Sequence, residues 1–158
     1  MSRMGFENKG TLNDGVMSTT APDYTLLDHT ADLGIRVRGT DLKDLFESAG
    51  RALMHLMIRA EVPSKTRSIK ISVSGEDLAD LMVRWLGEIL YLFAGENLVV
   101  TSIRIGSISS AHLAATLETA PLEPEVHEIL SEIKAVTYHQ IEVTETADGW
   151  EAIVIFDV

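Results

Sequence analysis

Two short segments carry residue types that do chemistry. Asp28-His29-Thr30-Ala31-Asp32 holds two carboxylates and an imidazole within five residues, and Phe156-Asp157-Val158 ends in a carboxylate, a carbonyl and a terminal carboxyl. Oxygen donors of this kind suit hard divalent cations such as Ca²⁺ or Mg²⁺. Asp157 follows Ile153 and Ile155 on one face of an apolar segment, where a carboxylate is costly unless paired or metal-bound. With an ion held by Asp28, Asp32 and Asp157, His29 or His139 could serve as general base, the constellation of a metal-dependent phosphohydrolase. The plainer reading makes Asp28 and Asp32 turn or cap residues and Asp157 a solvated acid. In that reading His29 and His139 are hydrogen-bonding histidines, since no zinc-type spacing accompanies them, and Lys134 is a solvated charge. Glycine-rich phosphate loops, G-x-S-x-G elbows and H-E-x-x-H pairs do not occur.

Whether the two segments form one site depends on strand pairing. If the strand beginning at Leu33 runs antiparallel to the one ending at Asp157, Asp32 and Asp157 lie about 5 Å apart at Cα. Parallel pairing separates them by roughly 20 Å. The sequence leaves both open.

The elements that must position these residues are readable from periodicity. Leu42, Leu45, Phe46, Ala49, Leu53, Leu56 and Met57 recur at three- and four-residue spacing, predicting a helix over Asp41 to Ile58 with Thr40 or Asp41 as N-cap. Leu78, Leu81, Met82, Trp85, Leu86, Ile89 and Phe93 predict a second helix from Glu76 to Phe93. Ser74 with Asp77 suggests a capping box there, and the wider stripe of this second helix marks it as the more buried. Period-two alternation predicts strands at Leu33 to Arg38, Ser68 to Val73, Leu98 to Ile105, His112 to Leu117, Ala135 to Val143 and Trp150 to Phe156. Asp148-Gly149 signals a hairpin between the last two. In the final strand both alternate sets are apolar, predicting a central position. The fold class is α+β: one domain with a mixed or antiparallel sheet packed against two main helices. Residues 1–22, rich in Gly, Asn, Ser and Thr, are expected to be a flexible extension to a domain over 23–158. No internal repeat is evident.

Composition limits the function further. The 158 residues suit one domain, and the absence of cysteine removes disulfides and thiolate sites and fits a reducing, cytoplasmic setting. No apolar run is long enough to cross a bilayer. With 24 acids against 13 bases the formal charge is −11, so strong direct nucleic-acid binding is disfavoured and a cation or basic protein partner is favoured.

A set of motifs then resembles one family. Asp28-His29-Thr30-Ala31-Asp32-Leu33-Gly34-Ile35, Asp41-Leu42-x-x-Leu45-Phe46, the helix Leu81-x-x-x-Trp85-Leu86-x-Glu88-x-Leu90-Tyr91-Leu92-Phe93, Ile133-Lys134-Ala135-Val136-Thr137-Tyr138-His139 and Gly149-Trp150-x-Ala152-x-Val154-Ile155-Phe156-Asp157-Val158 together resemble the archeases. The likeness runs from about Tyr24 to Val158. It implies an archease-like α+β sandwich and a non-enzymatic, monomeric, chaperone-like accessory protein. Its implied partner is the GTP-dependent RNA ligase of tRNA splicing, whose guanylylation and turnover it promotes. It further implies metal ligands at Asp32, Asp157 and Val158, with Ca²⁺ as the expected ion and Mg²⁺ or Mn²⁺ as alternatives. Lys134 is an activation candidate by the same likeness, beside Asp28, His29 and His139. A general chaperone or modulator of RNA-processing proteins is the further alternative. The chain departs from the family pattern at Thr119 to Pro124, in place of a G-E-P-like turn, and at Ile129-Leu130-Ser131, in place of a more polar, lysine-containing stretch.

Overall fold

The computed structural model describes residues 22–27, 32–60, 63 and 65–158. Asp28, His29 and nearly all of the expected 1–22 extension lie outside the described residues. Chain order is β1 (Tyr24–Leu27), β2 (Leu33–Gly39), α1 (Leu42–Met57), β3 (Ile58–Ala60), β4 (Arg67–Ser74), α2 (Leu78–Ala94), β5 (Leu98–Ile108), β6 (His112–Pro121), β7 (His127–Ile129), β8 (Ala135–Val136), β9 (Glu142–Thr146) and β10 (Gly149–Asp157).

Among the described residues every strand pairing is antiparallel, and the strands divide into three sheets. In the first, β1, β2 and β10 lie in order, with β8 and β9 both on the far side of β10. β4, β6 and β5 form the second, and β3 with β7 the third. Each helix touches both larger sheets: α1 packs on β2, β10 and β5, and α2 on β4, β5, β8 and β9. An amphipathic helix caught between two sheets must bury more than one stripe, which explains the breadth of apolar residues on both. Their expected ranking does not hold, since α1 buries nine of its 16 residues and α2 eight of 17. Ser48, Ala49, Gly50 and Ala52 account for this; such small residues are easily overlooked in an apolar stripe yet let α1 sit deep.

Phe46, Trp85 and Phe156 are fully buried, each contributing about 2–3 kcal/mol of burial. Trp85 also satisfies its indole by donating Nε1–H to the Phe46 carbonyl at 2.8 Å, fixing α2 against α1. The apolar/polar alternation of β2 is realised: Ile35 and Val37 are fully buried, while Arg36 and Arg38 lie on the other face beside Glu151, each 3.4 Å from its carboxylate.

Two local expectations need correction. Ser74 belongs to β4, and the N-cap of α2 is Asp77, which accepts the Asp80 N–H at 2.8 Å. Aspartate's short carboxylate reaches the third amide of the helix directly, so the helix starts one turn later than a serine cap would set it. The run Ala135 to Val143 is not one strand. It breaks between β8 and β9, where Gln140 takes a positive φ of 55°. The hairpin signal before β10 holds: Thr146 pairs with Gly149, whose φ is 151°. A Cβ there would strike the Gly39 carbonyl, so only glycine fits.

Candidate functional site

Position in the sheet decides what the candidate residues can do together. Both alternate sets of β10 are apolar, and the strand is central as expected, flanked by β2 on one side and β8 and β9 on the other. Its register with β2 runs antiparallel from Trp150↔Gly39 to Phe156↔Leu33. Continued by one residue, the same register sets Asp157 across from Asp32, where the ladder's Cα spacing is about 5 Å. Of the two pairings the sequence left open, the antiparallel one is therefore realised.

On the other flank, Asp157 pairs with Ala135, and the Lys134 N–H donates to the Asp157 carbonyl at 2.7 Å. Three segments remote in sequence thus end side by side: the start of β2 with Asp32, the end of β10 with Asp157 and Val158, and the start of β8 with Lys134. Asp32 is partly buried, whereas Asp157, Val158 and Lys134 are exposed. Asp157 is the correction here. The alternation placed it on a buried face, yet burial stops at Phe156, so its carboxylate faces solvent without a desolvation cost.

Past β8 the chain stays tied to β10. Thr137 donates both its N–H, at 3.0 Å, and its hydroxyl, at 2.9 Å, to the Ile155 carbonyl. His139 is exposed, and its N–H donates to Thr137 Oγ1 at 3.3 Å. Between them, Tyr138 turns outward and donates its hydroxyl to Asp80 Oδ1 at 2.6 Å. Asp80, in the first turn of α2, also accepts from Arg84 Nε at 2.9 Å and from the Glu76 N–H at 2.9 Å. The Tyr138 hydroxyl, the Glu76 amide and the Arg84 guanidinium hold the Asp80 carboxyl below its ordinary value, and the same bond raises the Tyr138 phenol. Asp80, Arg84 and Tyr138 were not singled out by the sequence. The i,i+4 spacing of Asp80 and Arg84 was a readable signal; the bond to Tyr138, 58 residues away, was not.

Among the described residues no three His, Cys, Asp or Glu side chains gather closely enough to hold a metal ion. Asp28 and His29 lie outside that description. What Asp32, Asp157 and the main-chain oxygen of Val158 do share is donor chemistry: all are hard oxygens, the set that fits Ca²⁺ or Mg²⁺ and not a thiolate-seeking metal. No helix of the described residues is long and apolar enough to cross a membrane.

Comparison with known proteins converges. The model of the archease protein family (MTH1598/TM1083) matches residues 24–158. The archease of Methanosarcina acetivorans is 35% identical over 146 residues, covering 90% of this chain and 100% of that protein. An archease-like protein of Drosophila melanogaster is 31% identical, covering 85% and 90%. The solution structure of Methanobacterium thermoautotrophicum protein 1598 superposes with a TM-score of 0.66 at 28% identity, covering 85% of this chain and 98% of that one. The Thermotoga maritima archease, itself called a possible chaperone, shares the fold with a TM-score of 0.57 at 21% identity, over 84% of this chain and 94% of that one. With a family model spanning β1 to the end of β10, and relatives above 30% identity over most of both chains, this chain belongs to the archease family.

Proposed function

We propose that this protein is an accessory factor that activates the GTP-dependent RNA ligase of tRNA splicing, promoting its guanylylation and turnover without itself catalysing ligation. The observation that supports the reading is the antiparallel β2–β10 register, whose last pair, Phe156↔Leu33, has Asp157 and Asp32 as the next residues at that end of the first sheet. Asp32, Asp157 and the Val158 main-chain oxygen hold a divalent cation there, Ca²⁺ first, with Mg²⁺ or Mn²⁺ as alternatives. Ca²⁺ takes roughly six to eight oxygens, so this end presents a partly filled coordination shell open to water or to a partner's groups. The bound ion supplies positive charge that anionic groups at the partner's active site can share.

The chain's own residues do the rest. Lys134, exposed and anchored through its main-chain N–H to Asp157, adds a mobile cation at the rim of the acidic end. The net charge of −11 draws the protein toward a basic mouth on the ligase and raises the encounter rate, most at low salt. The Tyr138–Asp80 bond holds the loop between β8 and β9 against α2, so Lys134 and His139 flank a fixed segment.

Ligation by purified ligase at limiting concentration, with and without this protein, tests the reading. Turnover should rise with the wild-type chain, and Asp32→Ala or Asp157→Ala should remove the gain. Asp157→Ala should stay folded, because the side chain is exposed and leaves no buried group unpaired. No gain with the wild-type chain refutes the proposal. Hydrolysis of a small phosphate ester by the chain alone would instead favour the phosphohydrolase reading.

A further inference from the structure

Among the described residues, the third sheet has a free edge along β7 with an unusual surface. Its β3–β7 pairing runs Ile58↔Ile129, Arg59↔Glu128 and Ala60↔His127. The Leu130 N–H donates to the Met57 carbonyl at 2.8 Å, so by the two-residue alternation of an antiparallel ladder it is Glu128 that exchanges main-chain bonds with Arg59. The N–H and C=O of Ile129 therefore point away from β3, and among the described residues no strand pairs with them. Side chains on this edge are apolar and exposed: Val126 at 52%, Ile129 at 57% and Leu130 at 42%. Around them Glu123, Glu125, Glu128 and Glu132 are all exposed, and Arg59 pairs with Glu128 at 2.9 Å.

The segment is not loose. His127 is buried, and its Nδ1 accepts the Glu123 N–H at 2.8 Å while its own N–H donates to the Glu123 carbonyl at 2.9 Å. A strand pinned in this way presents its outer edge in a fixed register. Exposed strand edges invite pairing with another chain. Here the edge combines an open main-chain donor and acceptor, three aliphatic side chains and a surplus of carboxylates.

We infer that β7 is a docking edge for an extended segment of a partner protein in which Lys or Arg alternates with aliphatic residues, added as a further strand. Main-chain bonds at Ile129 supply affinity, the aliphatic side chains of the segment pack on the Ile129 face of the edge, and its cations, on the alternate face, meet Glu128 and the glutamates around it. Charge decides between occupants. A second copy of this chain would set glutamates against glutamates, whereas a basic segment neutralises them. This inference stands apart from the ligase reading, since it involves neither Asp32 nor Asp157.

The test titrates the isotope-labelled full chain with a short capped peptide alternating lysine and valine, and with its glutamate–valine counterpart, following backbone amides by NMR. Saturable shifts centred on Val126, Ile129 and Leu130 are expected with the basic peptide only, weakening with salt. Ile129→Pro removes the outward N–H and should weaken binding by about tenfold or more. Glu125→Lys with Glu132→Lys, which leaves the main chain untouched, should do likewise and flatten the salt dependence. Equal response to both peptides, shifts centred on Asp157, or no saturable shift overturns the inference. Concentration-dependent shifts at the same amides without peptide would also overturn it, in favour of self-association.

Discussion

The two helices begin with the same letters. Gly39-Thr40-Asp41-Leu42-Lys43-Asp44-Leu45 and Gly75-Glu76-Asp77-Leu78-Ala79-Asp80-Leu81 share the pattern G-x-D-L-x-D-L, the first beginning on the last residue of β2 and the second directly after β4. The geometry repeats as well. Asp41 accepts the Asp44 N–H and Asp77 the Asp80 N–H, both at 2.8 Å, while Asp44 and Asp80 reach back to the amides of Thr40 and Glu76, at 2.8 and 2.9 Å. Two helix-start donors and the amides just ahead of the two caps are thus satisfied by two reciprocal aspartate pairs. The difference lies in what the second aspartate does next. Asp44 adds only the Thr40 hydroxyl at 3.2 Å, so its bonds stay local, at the end of the first sheet where Trp150 pairs with Gly39. Asp80 adds Arg84 and Tyr138, and through Tyr138 it holds the loop that follows β8, whose other end carries Lys134. One motif caps a helix twice, and in one copy the cap is also a fastener for the candidate site.

The largest effects should come from the glycines. A Cβ at Gly39 would fall on the main chain of Leu45, and one at Gly75 would come within 2.8 Å of the Leu81 nitrogen. Backbone cannot yield as a side-chain tip can, so Gly39→Ala should destabilise by about 3 kcal/mol and Gly75→Ala by about 2 kcal/mol, read from denaturant midpoints. Tolerance of alanine at one junction and not at the other would break the structural equivalence of the two. Removing the caps comes next: Asp41→Ala and Asp77→Ala should each cost about 1 kcal/mol. A large disparity between them would show that one box is dispensable.

The smallest global effect, and the sharpest contrast, is expected from Asp44→Asn against Asp80→Asn. Only the second should speed amide exchange across Thr137 to Ile141. The acid limb carries the same signature. Asp80 is held below its ordinary 3.8 in the folded chain, so the folded state binds its proton less readily than the unfolded one. Its stabilisation is complete above that value and is lost as pH falls below 3.8 through the folded value. Protection of the Thr137 and Ile141 amides, each hydrogen-bonded and taken relative to the intrinsic exchange rate, should fall over that acid range in the wild type and stay constant in Asp80→Asn.

The contrast also explains what the sequence could reveal. Helix stripes depend on neighbours three and four residues apart, so α1 and α2 were readable to within a residue or two, as was the central place of β10 from its doubly apolar alternation. Antiparallel contact between β2 and β10 joins residues more than a hundred positions apart, and periodicity holds no information on direction. Asp157 misled for a related reason: alternation assigns a face but not where along a strand the covering layer stops, and here it stops at Phe156. The break at Gln140 leaves no mark in the alternation of residues 135–143, and the G-x-D-L-x-D-L repeat is only seven residues long, set between strands and helices that otherwise differ.

The central claim is that the Asp32–Asp157 end acts on the ligase. Its most direct measurement is the rate at which purified ligase acquires covalent GMP from labelled GTP, with wild-type protein, Asp157→Ala and Asp44→Ala compared at equal concentration. The account predicts acceleration by the wild type and by Asp44→Ala, and none by Asp157→Ala. Equal acceleration by all three, or by none, would contradict it.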